Sequence, residues 1–331
     1  MKPELLLQNR AGRVFEISKI TEKVEYTTNR TGSAGKLTFS LIKAGDLSFH
    51  EGDRVRFSVD GTLIFFGYVF TKVKDRWGVI AVTCYDQLRF LKTNVSYVFT
   101  GKTAGQIIQQ IANDFNEFTT DTRLIKVGRI DDTGYAIPSL VQENRSCLDI
   151  INHAVQLTTR NTGKVFAFFD DGGELSLRKV EDMRSTTVIG TKSLLTEYEY
   201  KTDIDRETYN QIKLVRPNKE SGRADTYIVK DSANIERWGL LQLYKTVDEQ
   251  LNEAQITAQA ETMLAYYNRV LRTLTIQSLG VPGIRAGSMV MINVPDLGDI
   301  SLSKYVLLEK VVHIYANESH TMEVETLTIP A

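Results

Sequence analysis

Residues 51–57 read EGDRVRF, a glycine turn followed by a strand pattern in which apolar residues alternate with arginines. Residues 36–41 and 80–84 show the same period of two. Such a period buries one face of a strand and leaves the other in water, which is typical of antiparallel sheets. Turn residues such as Asp60-Gly61 separate these runs. The first hundred residues are therefore predicted to form a small antiparallel barrel or sandwich.

The pattern of residues 51–57 returns near the end of the chain as AGSMVMI, residues 286–292. In each copy a second strand pattern and a third alternating run follow. In order these are 66–69 and 79–85 in the first copy, and 307–311 and 321–325 in the second. A β-module that is duplicated and split by an insertion explains this repeat. The alternative is that any two antiparallel meanders share so general a pattern.

Between the two copies the apolar residues recur at helical spacing. Thr103 and Gln106 form a capping box, in which each side chain reaches a free amide of the first helical turn. A second helix is predicted to begin at Ser146, with Asp149 three residues on, and a hairpin follows at residues 165–177. This segment therefore indicates a compact α+β domain inserted between β-rich parts.

A further capping box, Thr246 with Glu249, predicts that the longest helix spans about residues 247–272. Strand-like runs then close the chain. They lie near residues 273–278, 288–294, 305–315 and 321–329. The fold class indicated by these periods is mainly β with an α+β part.

The composition excludes two broad classes of partner. With 40 basic and 41 acidic residues, the net charge of −1 gives no general attraction to nucleic acid or to an anionic membrane. No apolar run is long enough to span a bilayer. The first residues, MKPELLLQNR, lack the features of a secretory signal, so the protein is expected to fold in the cytoplasm.

Residues suited to metal binding or thiol chemistry are scattered. The histidines show no metal-ligand spacing, and they are His50, His153, His313 and His320. His313 alternates with apolar neighbours in a strand and is predicted to point outward, whereas His153 is predicted to be packed or half-exposed. Cys84 and Cys147 lie in core patterns and are expected to be buried, reduced thiols.

The carboxylates do not indicate an active site. Asp131-Asp132 and Asp170-Asp171 are adjacent pairs in turns, where they are predicted to be solvated. The glycines of residues 31–36 resemble neither a phosphate loop nor a nucleophile elbow. No catalytic residue, metal site or cofactor is therefore predicted.

Three positions are candidates for contacts with a partner. Arg30 and Lys36 flank residues 31–36, which are predicted to form a flexible surface loop, and solvated charge is the alternative role. Tyr266 and Tyr267 are adjacent on the long helix, so both cannot face inward. Tyr266 is thus the candidate for a contact with another element or subunit.

An ordered set of motifs resembles the XkdQ/YqbQ family of Gram-positive phages and phage-like particles. The motifs are GDRVRF at 52–57, IFFGYV at 64–69, VTCYDQLRFL at 82–91, GKTAGQII at 101–108, RWG at 237–239, and Gly287 with Val290. No single motif is specific, but the ordered set covers nearly the whole chain.

The resemblance implies a baseplate hub protein, related to late control protein D, that is structural and not an enzyme. It implies two tube-like antiparallel β-barrel domains flanking an inserted α+β middle domain. The corresponding domains are residues 1–99, 100–190 and 191–331, the last with the long helix. Three chains with two similar domains each would present six similar units, so that a threefold spike can meet a sixfold tail tube.

The resemblance also implies partners and a location. The partners are the chain itself as a homotrimer, the tail tube protein, the central spike protein and the baseplate wedge proteins. No specific nucleic-acid site and no stable membrane binding are implied, although the pore is a route for DNA. The location is the tail of a phage, or of a phage-like contractile injection particle such as a tail-like bacteriocin, assembled in the bacterial cytoplasm.

Two other functions stay open. A tail-associated peptidoglycan hydrolase would need paired carboxylates across a cleft, and only scattered carboxylates support it. A cell-wall carbohydrate-binding module would use an exposed tryptophan. The two tryptophans are Trp77, in a predicted hairpin turn, and Trp238.

Overall fold

The computed structural model describes residues 1–43, 45–118, 124–218, 223–316 and 319–326. The chain is mostly β and forms two compact units. Among the described residues, unit 1 contains 1–198 and 275–326, and unit 2 contains 199–274.

Unit 1 starts with consecutive strands. They are β1 (Pro3–Gln8), β2 (Val14–Glu16), β3 (Thr21–Asn29), β4 (Lys36–Ile42), β5 (Arg54–Val59), β6 (Thr62–Lys74), β7 (Val79–Tyr85) and β8 (Asn94–Thr103). Two helices and shorter strands follow. They are α1 (Ala104–Phe118), β9 (Val127–Ile130), β10 (Ala136–Ser146), α2 (Cys147–Thr162), β11 (Phe166–Asp170), β12 (Leu175–Lys179) and β13 (Arg184–Gly190).

The chain then enters unit 2 and returns from it. The elements on this path are β14 (Leu195–Asp203), β15 (Gln211–Asn218), β16 (Arg223–Lys230), α3 (Ser232–Trp238), β17 (Gln242–Thr246), α4 (Glu253–Tyr267) and β18 (Leu271–Leu279). The last strands are β19 (Met289–Val294), β20 (Leu302–Ala316) and β21 (Ser319–Thr326). Three of the closing strand-like runs are thus confirmed. The fourth run, 321–329, corresponds to β21, and the last three residues of that predicted run lie outside the described residues.

The large sheet of unit 1 joins strands from both ends of the chain. Its order is β14-β18-β21-β20-β3-β4-β7-β6-β5-β1-β2, and β19 pairs with both β20 and β13. The junction is the antiparallel pair of β20 with β3, which aligns Lys310 with Asn29 and Ala316 with Lys23. The N-terminal and C-terminal β-rich segments therefore form one continuous sheet.

The period of two in the first hundred residues is confirmed by burial. Leu37, Val55 and Phe57 are completely buried, whereas Ser40 and Arg56, on the opposite faces of the same strands, are exposed. Burying a large apolar side chain stabilises a fold by about 1.5–3 kcal/mol. This alternation therefore fixes which face of each strand turns to the core.

Helices α1 and α2 begin where their capping residues predict. Thr103 Oγ1 accepts a hydrogen bond from the amide of Gln106 at 3.2 Å, and Gln106 Oε1 accepts one from the amide of Thr103 at 2.9 Å. Ser146 Oγ accepts a hydrogen bond from the amide of Asp149 at 3.1 Å. The two helices share one apolar core with the predicted hairpin, which is the antiparallel pair of β11 and β12.

Unit 2 is a small sheet, of order β16-β15-β17, covered by α4. Ile212 and Leu214 of β15, and Ile256 and Ala260 of α4, are completely buried in its core.

Helix α4 is shorter than predicted. The helix begins at Glu253, because the capping box is formed by Asn252 and Gln255, with amide-to-oxygen distances of 2.9 and 3.0 Å. Thr246 was the wrong cap, since it is the last residue of strand β17. In the described part of the chain, no helix is long and apolar enough to cross a membrane.

Candidate functional site

The repeat found in the sequence is a repeat of strand order. The first copy, module 1, follows the order β3-β4-β7-β6-β5-β1, and the second copy, module 2, follows the order β14-β18-β21-β20-β19-β13. The copies differ at one end, where β1 pairs with β5 antiparallel and β13 pairs with β19 in parallel. The prediction of a duplicated β-module is confirmed by this correspondence.

The same glycine turn opens the central hairpin of both modules. Gly52 and Gly287 have φ values of +85° and +89°, a left-handed conformation that glycine adopts without steric cost. The amide of Gly52 donates to the carbonyl of Val69 at 2.7 Å, and the amide of Gly287 donates to the carbonyl of Leu308 at 2.8 Å. The matching hydrogen bonds show that 52 corresponds to 287 and 69 to 308.

The long middle strand of each module contains one irregularity at the matching place. The register of β6 with β7 shifts between Val69 and Thr71, and that of β20 with β21 shifts between Leu308 and Lys310. An extra residue in one strand bends it and increases its twist. Strand β6 thus pairs with β5 along its first part and with β7 along its last part. In the same way, β20 pairs with β19 along its first part and with β21 along its last part.

A buried polar cluster connects the sheet to the β11–β12 hairpin within unit 1. Asp86 accepts hydrogen bonds from the amides of Gly35 at 2.7 Å and Leu88 at 3.0 Å. Arg285 donates through Nη1 to the carbonyl of Asp170 at 2.9 Å and lies over the ring of Phe169 at 3.6 Å. Because these groups satisfy backbone atoms of separate elements, the cluster fastens the hairpin to the sheet.

Two predictions about this region were wrong. Asp170 is buried, with 4% of its surface exposed, because Arg285 packs against the hairpin, and its Oδ1 accepts a hydrogen bond from the amide of Gly173. Burial raises the pKa of Asp170 to about 6, and burial also raises the pKa of Asp86. The predicted surface loop 31–36 is exposed only in its first half, since Ala34 and Gly35 are buried.

His313 does not point outward, which corrects the sequence prediction. It is 2% exposed, with its Nε2 2.6 Å from the carbonyl oxygen of Ile284 and its Nδ1 2.9 Å from Nε2 of His320. Burial lowers the pKa of both rings, that of His320 to about 4, so both are neutral at pH 7. His153 is half-buried, as predicted. Among the described residues no group of three metal-binding side chains is present.

The thiols are buried as the sequence predicted. Cys84 and Cys147 are both free and buried, and burial raises the pKa of each. A thiol that stays protonated is a poor nucleophile. The two cysteines therefore act as core residues.

The candidate contact residues occupy different environments. Arg30 is engaged within the chain, because its Nε donates to Glu309 at 2.6 Å, while Lys36 is half-buried at the start of β4. Tyr266 is 55% exposed on α4, with the guanidinium of Arg269 4.6 Å from its ring centre. Tyr267 is half-buried, as expected for adjacent aromatics on one helix. Their roles in partner contacts stay predictions.

The tryptophans also differ in exposure. Trp77 is 72% exposed in the turn between β6 and β7, and Arg76 lies 4.2 Å from its ring centre. Trp238 is half-buried at the end of α3. Strand β14 is a third exposed feature, since none of its residues is buried, and its exposure was not predicted from the sequence.

The overall fold is of the same class as that of solved tail proteins. The structure is similar to the 43 kDa tail protein of prophage MuSo2 from Shewanella oneidensis, with a TM-score of 0.70 and 13% identity, covering 98% of both chains.

The chain belongs to the YQBQ-like family, whose pattern matches residues 24–327. It is 31% identical over 316 residues to the uncharacterised protein YqbQ of Bacillus subtilis (strain 168), covering 93% of this chain and 92% of that protein. It is 31% identical over 315 residues to the phage-like element PBSX protein XkdQ of the same bacterium, again covering 93% and 92%. The resemblance inferred from the motifs is thus confirmed.

Proposed function

We propose that this chain is a structural subunit of a phage tail or phage-like injection particle, a baseplate hub that forms a trimeric ring. The observation that carries the proposal is the shared strand order of module 1 and module 2. A chain with two copies of one module can supply two neighbouring positions of a ring of like modules. Three chains then supply six positions.

The proposed mechanism of the hub is symmetry adaptation, which rests on the six modules of three chains. A homotrimer has threefold symmetry, which suits a spike, while its six similar modules imitate the symmetry of a sixfold tail tube. In this proposal each module contributes a tube-like β-domain to a common channel. The proposed partners are the tail tube protein, the central spike protein and the wedge proteins of the baseplate, and Arg30, Lys36 and Tyr266 stay proposed contacts.

The proposed role is mechanical and includes no reaction. The buried Asp86 and the half-buried Arg285 of unit 1 bind backbone atoms of the protein itself, which is the behaviour of structural residues. Purified chain added to peptidoglycan is accordingly expected to leave it intact. Release of soluble wall fragments by the purified chain would contradict this part of the proposal.

The ring is tested by the mass and the image of the full-length chain over a series of concentrations. Mass photometry or sedimentation should show a trimer, and images down its axis should show six similar densities around a channel. A chain that stays monomeric throughout the series, or a ring with another number of subunits, would overturn the proposal.

A further inference from the structure

The two modules differ in how much of their long middle strand is covered. In module 2, the part of β20 after the bend is paired on both edges, with β21 on one side and β3 on the other. In module 1, the matching part of β6, residues 71–74, is paired with β7 on one side. No described strand lies on its other side, since β5 pairs only with residues 62–68. One edge of β6 is therefore open.

The repeat identifies the strand that belongs at this edge. In module 2 the corresponding edge, that of β20, is covered by β3, which is the first strand of module 1. The first strand of module 2 is β14, so β14 is the strand that the repeat assigns to the open edge of β6. Strand β14 ends the order of the sheet, so it too has an open edge. It spans Leu195–Asp203 with no buried residue. An exposed edge strand of this length is a template for pairing with another chain.

The two edges are complementary in charge. The tip of β6 and its turn, residues 70–79, carry Lys72, Lys74 and Arg76 against one acidic residue, Asp75. Lys72 is engaged within the chain, because its Nζ donates to the carbonyl of Phe49 at 2.9 Å, so the positive charge offered to a partner comes from Lys74 and Arg76. Strand β14 carries acidic residues at 197, 199 and 203 against one basic residue at 201. Lys201 pairs with Asp203 at 2.8 Å, so the negative charge offered to a partner comes from Glu197 and Glu199. The β6 tip also holds an apolar side chain in water, since Val73 is 61% exposed. Opposite charges and an exposed apolar residue are what an interface between subunits requires.

We infer that the tip of β6, residues 71–74, pairs antiparallel with β14 of a neighbouring copy of this chain. The pairing copies between chains the β20–β3 ladder that exists within one chain. It is a head-to-tail contact, so each chain offers its β6 to one neighbour and its β14 to the other, and three chains close the ring. The inference rests on the proposed hub function and assigns the contact that closes it.

Cysteine pairs test the contact directly, because the native Cys84 and Cys147 are buried and do not compete. Val73→Cys is combined with one cysteine on β14, scanning Glu199, Tyr200 and Lys201 in separate full-length chains. Directly opposed residues of an antiparallel pair bring their Cβ atoms within disulfide range. At least one combination should give covalent dimers and trimers on a non-reducing gel after mild oxidation. Val73→Cys with Val141→Cys is the control, since Val141 is 63% exposed on β10, outside the proposed contact.

Charge reversal provides an independent measurement. Lys74→Glu and Glu199→Lys should each weaken self-association, by roughly two- to five-fold for an exposed charge pair. The double variant should recover the association of the wild-type chain. Lys92→Glu is the matched control, because Lys92 is exposed outside the proposed contact and should have no effect.

The outcomes separate this inference from the hub proposal. If the wild-type chain forms a trimer but no β14 position crosslinks above the control, and charge reversal acts no more strongly than Lys92→Glu, the strand pairing is wrong and the ring stands. If the wild-type chain never associates, the ring itself is overturned. Crosslinked trimers together with rescue by the double variant establish the contact.

Discussion

Replacing Gly287 by alanine tests whether the turn of module 2 is packed as tightly as the structure indicates. Gly287 has a φ of +89°, and a left-handed conformation costs an alanine about 1–2 kcal/mol. A Cβ at this position would lie 2.7 Å from the Cβ of Ala167 in β11. Forced overpacking of this kind costs a further 1–3 kcal/mol or so, and therefore we expect Gly287→Ala to lower the free energy of unfolding by about 2–5 kcal/mol.

Gly12 provides the matched control for backbone strain. Its φ is +81°, but no described atom lies within 4 Å of an added Cβ, so Gly12→Ala should cost only about 1–2 kcal/mol. Urea unfolding followed by far-ultraviolet circular dichroism measures both variants, with an unchanged m-value as the sign that the same surface is exposed. Equal losses in the two variants would refute the close contact between the turn and β11.

Three further predictions concern a buried carboxylate, a helix cap and an exposed tryptophan. Burial raises the pKa of Asp170 to about 6, so the stability contributed by its protonated form is present below about pH 4 and is lost as the pH rises through 6. Asp170→Asn should remove this loss, which is on the order of 2–3 kcal/mol. Urea titrations in which the wild-type chain and the variant differ in free energy of unfolding by the same amount at every pH would contradict it. Asn252→Ala should cost unit 2 about 1 kcal/mol, whereas Thr246→Ala should cost almost nothing. Unfolding followed by Trp238 fluorescence in a Trp77→Phe background measures both losses of stability. Equal losses for Asn252→Ala and Thr246→Ala would support Thr246 as a helix cap. Trp77→Phe alone should leave the free energy of unfolding within about 0.5 kcal/mol, because Trp77 is 72% exposed, and a larger loss would indicate that its ring is packed.

Local signals in the sequence were sufficient wherever the determining contacts are local. The capping pair Thr103 and Gln106 satisfies its own first turn, and Ser146 does the same for α2, so neither depends on the rest of the fold. The turn glycines Gly52 and Gly287 were recognisable because an alternating strand follows each one. These glycine turns indicated a duplicated module, and the shared strand order excludes the alternative of two unrelated meanders.

Errors arose where distant elements decide the environment. His313 alternates correctly in β20, but its outward-facing side is covered by the carbonyl of Ile284 and the ring of His320, which come from other segments. Asp170 has the sequence of a solvated turn, yet Arg285 and the packed hairpin enclose it. The helix start was misplaced because Thr246 also has the pattern of a cap, and only the strand pairing of β17 excludes it.

Pairing of β3 with β20 has a consequence for synthesis of the chain. The ladder brings together residues as far apart as Thr28 and Val311, which are separated by 283 positions. Contacts between residues so far apart in sequence form late and make folding slow, because the entropy cost of closing a long loop precedes any stabilisation from the contacts. On the ribosome, one edge of β3 has no partner until β20, Leu302–Ala316, has been translated. The nascent chain therefore exposes this strand edge until β20 has been made, and chaperones that shield such edges are expected to raise its yield.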